Sequence, residues 1–354
     1  MQFPIFKTKT KGLRSFNLSD PKERKFYFQA KTGKEIRKLR NYLKKGNTFI
    51  AYLLGKKNSG KGTYARLFME AVDDTRVASI SIGDLVRKTH QEIKNKEKRK
   101  ELINWLSQNY RGYIPVKDSV KALLERSTGS LLPTEFILAL VKKEIRAMKR
   151  NALFIDGFPR ELDQISYSLF FRDLVDYRAD PDIFVLIDVP ESVINERIKW
   201  RVICPLCQTS KNLKLYLSKN IEYDKRSKKF YFICDNPKCQ TVKMGPKEGD
   251  KLGIKPIKKR LKLDEKLINQ ALSLHGIPKV LLRNTIPAKE AKKFIDDYEI
   301  TPEYSHKWDS KSKKVKTIEK PWVVRDDEGV LSYSLLPAPV AASLIKQIAD
   351  ILCP

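Results

Sequence analysis

Four short stretches carry apolar residues almost without interruption. TFIAYLLG (48–55), ALFIDG (152–157) and DIFVLIDV (182–189) have strand length and the near-continuous pattern of strands covered on both faces; RVASISIG (76–83) is a fourth, less apolar one. Elsewhere the spacing is helical. In LLPTEFILALVKKEI the apolar set is Phe136, Ile137, Leu140, Val141 and Ile145, and the last stretch repeats the spacing with Val340, Leu344, Ile348 and Ile351. Strands alternating with helices predict an α/β fold, a parallel sheet flanked by helices on both faces.

Three regions interrupt the alternation. Residues 1–45 form a basic lead-in ending in a predicted helix, EIRKLRNYLKK, with no recognisable chemistry. Residues 85–135 read as a mostly helical insertion, and 202–260 as a polar, lysine-rich insertion holding four of the five cysteines. The core is then built from 46–84, 136–201 and 261–354. Near its end, PWVVRDDEGVLSYSLLP predicts a hairpin turning at Asp327-Glu328-Gly329.

Composition narrows the function classes. With 354 residues, 41% of them hydrophobic, the chain can bury a substantial core. No apolar run approaches the roughly 20 residues of a membrane span, and the first residues lack a signal peptide's apolar centre. The expectation is a cytoplasmic monomer with no membrane partner. A formal net charge of +29, from 71 Lys plus Arg against 42 Asp plus Glu, draws anions to the surface. Basic runs such as KRSKK (225–229) and KSKKVK (311–316) read first as solvated surface and second as nucleic-acid contacts.

One stretch points to a specific anion. GKKNSGKGTY (55–64) follows a buried strand and leads into a helix, so its backbone N–H groups form a nest at a helix N-terminus, where phosphates bind. Lys61 reaches the terminal phosphates. A Ser or Thr usually follows that lysine directly; here Gly62 does, with Thr63 one step later.

With SIGDLVR (81–87), FIDGFPRELDQ (154–164) and ERIKWR (196–201) following in order, the chain resembles the adenylate kinase family of P-loop nucleoside monophosphate kinases. The resemblance covers 48–202 well and 260–354 loosely. It departs inside the loop, where Lys57 and Asn58 replace the usual Pro and Gly; Asn tolerates positive φ.

The resemblance implies Mg-ATP and a nucleoside monophosphate bound head to head. ATP falls to Gly55, Asn58, Ser59, Gly60, Lys61, Gly62 and Thr63 of the loop, with Arg197 over the base and Arg201 on the phosphates. The monophosphate falls to Ile82, Gly83, Arg87, Gly157, Arg160 and Gln164, and Asp156 holds Mg²⁺ through water with Asp84 or Thr63 assisting. Catalysis is assigned to Lys61, Asp156, Arg160, Arg197 and Arg201. Arg197 and Arg201, four apart on one helix, face one way, although such pairs are also ordinary on solvated helices. Gln164 favours AMP, while Ile82 in place of the family's Thr keeps UMP, CMP and deoxynucleotides open. The family's R-x-D-D helix start is here Lys262-Leu263-Asp264-Glu265, with Lys262 or Arg260 substituting for the arginine and Ser273 near the second arginine's place.

CPLC (Cys204, Cys207) and CDNPKC (Cys234, Cys239) have the spacing of a four-thiolate structural Zn²⁺ site, placed where the family carries its lid. Cys353 stands apart. The rival reading is a non-catalytic P-loop and zinc-ribbon module that binds RNA, motivated by lysines interleaved with aromatics in the same insertion.

Overall fold

The computed structural model describes residues 3–125, 132–148, 150–159, 180–218, 220–239 and 241–354. Its centre is a five-stranded, wholly parallel sheet. The strands are β1 (Ile50–Gly55), β2 (Val77–Ser81), β3 (Ala152–Asp156), β4 (Asp182–Asp188) and β10 (Lys279–Arg283), in the order β10-β4-β1-β3-β2.

Alternation along each strand divides the core in two. Ala51 and Leu53 of β1, Phe154 of β3 and Val185 of β4 face one side; Ile50, Tyr52, Leu54, Ile155 and Phe184 face the other. The first side is covered by α1 (Pro21–Lys44), α2 (Lys61–Ala71) and the last helix, α10 (Pro337–Leu352). Covering the second are α3 (Ile82–Glu92), α6 (Thr134–Arg146) and α8 (Lys258–Ser273), with α4 (Lys96–Asn109) and α5 (Val116–Leu124) beyond them. The helix α7 (Glu191–Lys199) follows β4, and the one-turn α9 (Ala291–Phe294) precedes the final hairpins.

The lead-in is more than the predicted helix. Helix α1 begins at Pro21, where Asp20 accepts the amides of Lys22 and Glu23 at 2.8 and 2.9 Å, well before the predicted 35–45. It lies against α10 and α2 and is tied to the far end of the chain. Fully buried Glu299 accepts from Thr8 Oγ1 and Tyr27 Oη, each at 2.6 Å, and Lys31 Nζ meets Asp296 at 2.6 Å. Burial pushes the Glu299 carboxyl up, and these partners pull against it.

The cysteine-bearing insertion forms β5 (Arg201–Ile203), β6 (Ser210–Asn212) and β9 (Gly245–Pro246) in one small sheet, and the hairpin β7 (Ile221–Asp224)–β8 (Lys229–Phe232). A second sheet joins β11 (Thr285–Pro287) to β15 (Leu331–Ser334) and β14 (Val323–Arg325), making the predicted hairpin, with Arg325 opposite Leu331. A further hairpin, β12 (Pro302–Asp309)–β13 (Lys314–Pro321), leans on the insertion. Tyr304 N–H donates to Lys214 O at 2.7 Å, and Lys214 Nζ bridges Glu196 and Glu303 at 2.9 and 3.0 Å. No described helix is long and apolar enough to cross a membrane.

Candidate active site

The site forms at the carboxyl edge of the sheet, where β1 passes between β3 and β4. Two glycines shape the loop leaving β1. A Cβ on Gly55 would come within 2.7 Å of Ser59 Oγ and 3.1 Å of Ile187 Cβ, so only glycine allows the turn to close that tightly. Gly60 starts α2 with φ +97°, and Asn58 also takes positive φ, +67°. Lys61 Nζ folds back on Gly55 O (2.8 Å) and Lys56 O (3.2 Å), spanning the loop's mouth. The Ser59 hydroxyl is buried inside the loop with no partner among the described residues. Packing does not demand glycine at 62, where a Cβ would meet nothing within 4 Å.

On one side of the loop lies a cleft of about 570 Å³ that includes Lys57, Asn58, Lys61, Asp84, Arg87 and Asp156. Asp156 ends β3 beside Leu53 of β1. Asp84 pairs with Arg87 one turn on, and the Ser81 hydroxyl and then Arg87 hold its carboxyl below the usual range. Arg260 and Asp264 of α8 close this cleft, with Nε 2.8 Å from Oδ1. The other Asp264 oxygen accepts the Lys57 amide at 2.9 Å. Burial pushes the Asp264 carboxyl up, while Arg260 and Lys61 act in the opposite direction. Of the two cations considered for this helix, Arg260 lines the cleft. Ile82 turns its side chain into the core, leaving Ser81 and Gly83 to face the space. Arg160 and Gln164 lie outside the described residues.

A second cleft of about 550 Å³ opens on the other side of the loop and shares Asn58 with the first. Gly60, Thr63, Arg197 of α7 and Arg201, the first residue of β5, line it, so Thr63 and Asp156 stand on different sides. Arg197 Nη1 is 3.4 Å from Asn58 O and Nη2 3.3 Å from Asn284 Oδ1; Asn284 is fully buried and also donates to Tyr64 Oη at 3.2 Å. Arg201 is held in a two-pronged pair by Asp250, at 2.7 and 2.6 Å. Apolar walls come from Leu215, Tyr216 and the segment Leu335 to Pro337. Helix α7 stops at Lys199, so Arg197 and Arg201 do not lie on one helix as expected, yet they share this crevice. The residues that fix them, Asp250 and Asn284, come from distant segments.

Behind the loop, Lys56 runs opposite to Lys61. Its side chain is only 8% exposed, and Nζ meets Asp327 Oδ2 at 2.6 Å. Asp327 Oδ1 accepts the Glu191 amide at 2.7 Å, capping α7, whose own N-cap Pro190 offers no side-chain acceptor. One carboxylate thus joins the loop to the arginine helix.

Sγ atoms of Cys204, Cys207, Cys234 and Cys239 all lie within 4.8 Å of one another, with Cys207 and Cys234 3.6 Å apart. Four thiolates at about 2.3 Å from a tetrahedral Zn²⁺ would stand some 3.8 Å from each other, so the cluster fits zinc. Hydrogen bonding from Thr209 lowers the Cys207 thiol to about 6, while burial pushes Cys239 up to about 12. Among the described residues, only Val202, Phe232 and Met244 pack around the cluster as fully buried apolar side chains.

A family model described as an AAA domain matches residues 54–201. Adenylate kinase of Mycoplasma mobile is 30% identical over 212 residues, 59% of this chain and 78% of that protein. Adenylate kinase of Thermotoga maritima is 31% identical over 205 residues, covering 57% and 76%. A probable UMP-CMP kinase 2 of Arabidopsis thaliana is 28% identical over 193 residues, covering 52% and 62%.

Proposed function

Since the chain belongs to the adenylate kinase family of P-loop nucleoside monophosphate kinases, we propose that it transfers the γ-phosphoryl group of Mg-ATP reversibly to AMP, giving two ADP. The observation that carries this reading is the pair of clefts, 570 and 550 Å³, meeting at Asn58 of the loop. ATP takes the cleft with the apolar walls, its adenine near Tyr216 and Leu336 and its phosphates on the loop amides. AMP takes the other, its phosphate toward Arg87 and Arg160.

Phosphoryl transfer asks the protein for position and positive charge more than for covalent help. Lys61 leaves the carbonyls of Gly55 and Lys56 for the phosphates between the two nucleotides. Arg197 and Arg201 approach from the ATP side, Arg87, Arg160 and Arg260 from the AMP side. An AMP phosphate oxygen bonds to the γ-phosphorus as the bond to the β,γ-bridging oxygen breaks, and no proton moves. A general base is unnecessary. Mg²⁺, when bound, neutralises charge between the phosphates, and Asp156 and Asp84 are the carboxylates on hand to hold it through water. The four cysteines hold Zn²⁺ structurally, with no position left open for water.

AMP rather than a pyrimidine nucleotide is favoured by Gln164 and by the adenylate kinase relatives. The test is purified protein with Mg-ATP and each monophosphate in turn. AMP should give the highest kcat/KM; a higher value for UMP or CMP would move the acceptor assignment, and no diphosphate from any of them would reject the enzyme.

Asp327 supplies a finer prediction. Asp327→Ala leaves Lys56 buried without its partner and α7 without its cap, so the loop and Arg197 lose their common anchor. KM for ATP should rise about tenfold, the equivalent of about 1.4 kcal/mol, with KM for AMP within twofold. Asp327→Asn, which keeps the cap acceptor, should fall between. Equal changes in both KM values would count against a donor-side role.

A further inference from the structure

Two hairpin tips far apart in the sequence share one construction. On the lid, Asp224 pairs across to Lys229 around the turn Lys225-Arg226-Ser227-Lys228. In the other hairpin, Asp309 pairs across to Lys314 around Ser310-Lys311-Ser312-Lys313. Asp224 accepts the amides of Arg226 and Ser227 at 2.9 and 3.4 Å; Asp309 accepts those of Lys311 and Ser312 at 3.0 and 3.4 Å. The fourth turn residue is left-handed in both, Lys228 at φ +53° and Lys313 at φ +51°. Glycine or asparagine suits that conformation, so backbone geometry alone would not select lysine twice.

The tips are brought together. Tyr223, just before one turn, stacks on Trp308, just before the other, with centroids 5.2 Å apart and planes 19° from parallel, and Lys225 Nζ sits 5.8 Å over the Trp308 ring. Both tip aspartates are spent on closing their turns, and Asp309 also meets Lys316 at 2.7 Å. The turn cations Lys225, Arg226, Lys228, Lys311 and Lys313 are all exposed, and none of them lines either nucleotide cleft.

We infer that the paired tips are a docking fork for single-stranded nucleic acid, gripping the phosphodiester backbone with two lysine-rich turns beside the Tyr223–Trp308 stack. A closely set group of exposed cations drawn from two segments fits a ligand with a phosphate at every step. Partly exposed aromatic rings beside them, Tyr223 and Trp308 with Phe230 packed on Tyr223, offer a base an aromatic surface to stack on. A bilayer surface fits less well, because the turns offer only Lys, Arg and Ser and nothing apolar to insert. Binding of this kind tolerates sequence and weakens steeply with salt, and it is independent of phosphoryl transfer.

The test uses the full, zinc-loaded chain with fluorescent 20-nucleotide RNA and DNA of mixed sequence, read by polarisation across a KCl series. For roughly six neutralised phosphates, log K against log salt should have a slope of about −4. Lys228→Gly with Lys313→Gly gives the sharpest contrast: melting temperature equal to or above wild type, strand affinity down about fivefold, phosphoryl transfer within twofold. Lys225→Ser, Arg226→Ser and Lys311→Ser together should lower affinity at least thirtyfold. The inference is overturned if both variants bind like wild type, if the slope is shallow, if polyglutamate displaces the RNA as well as unlabelled RNA does, or if phosphatidylserine vesicles are bound and the strands are not.

Discussion

Lys61→Ala should leave a folded protein whose kcat/KM for ADP formation is lower by on the order of 10³. In the resting loop the lysine donates to two carbonyls of that same loop. Its ammonium belongs to the first helical residue of α2, where the helix end already favours negative charge, while Lys56 points behind the loop to Asp327. Loss of a charge used mainly in the transition state should fall on kcat more than on KM. A coupled assay with a parallel thermal melt separates the outcomes. A variant with unchanged melting and less than tenfold loss would remove Lys61 from the transferring group. Arg197→Ala should show a loss of similar order, because its guanidinium is already anchored beside Asn58.

Removing the metal should have the second large effect. Structural zinc in small domains contributes roughly 10–16 kcal/mol of apparent binding free energy, which is folding free energy where the apo segment cannot hold itself. The lid is such a segment: among the described residues, three fully buried apolar side chains surround its cysteines. Cys234→Ser with Cys239→Ser, or a strong chelator, should release about one zinc per chain and open the lid to protease between residues 204 and 239. The parallel sheet has separate cores on its two faces and should keep its own melting transition. Phosphoryl transfer should drop at least about a hundredfold, since Arg201 begins β5 and its partner Asp250 follows β9. Elemental analysis, limited proteolysis and the coupled assay check the three parts. Full activity in zinc-free protein would refute a structural metal.

Much of this was legible in the chain. The four strands read from apolar runs are present, and the glycine loop and the cysteine spacing each specify a local geometry that the fold keeps; the helix expected to carry both Arg197 and Arg201 ends at Lys199 and leaves Arg201 to β5. Three kinds of feature were not legible. The fifth strand, KVLLR, is short and charged at both ends, so its burial is set by β4 and α10 beside it rather than by its own pattern. The β12–β13 ribbon is lysine-rich and mostly exposed, which along the sequence is indistinguishable from a solvated run. The partners that aim the site, Asp250, Asp264, Asn284 and Asp327, act through tertiary contacts spanning 49 residues or more, and no periodicity encodes these.

The buried knot of Thr8, Tyr27, Lys31 and Glu299 joins residues up to 291 positions apart, and α1 rests on α10. On the ribosome, the opening helix therefore emerges long before most of its cover: α2 follows closely, but α10 and the segment holding Glu299 come far later. Loop closure over such a separation is entropically expensive and slow, so completion must wait for release of the final helix. Until then the first helix is covered only in part, by α2, and its remaining apolar side is what a chaperone would have to shield.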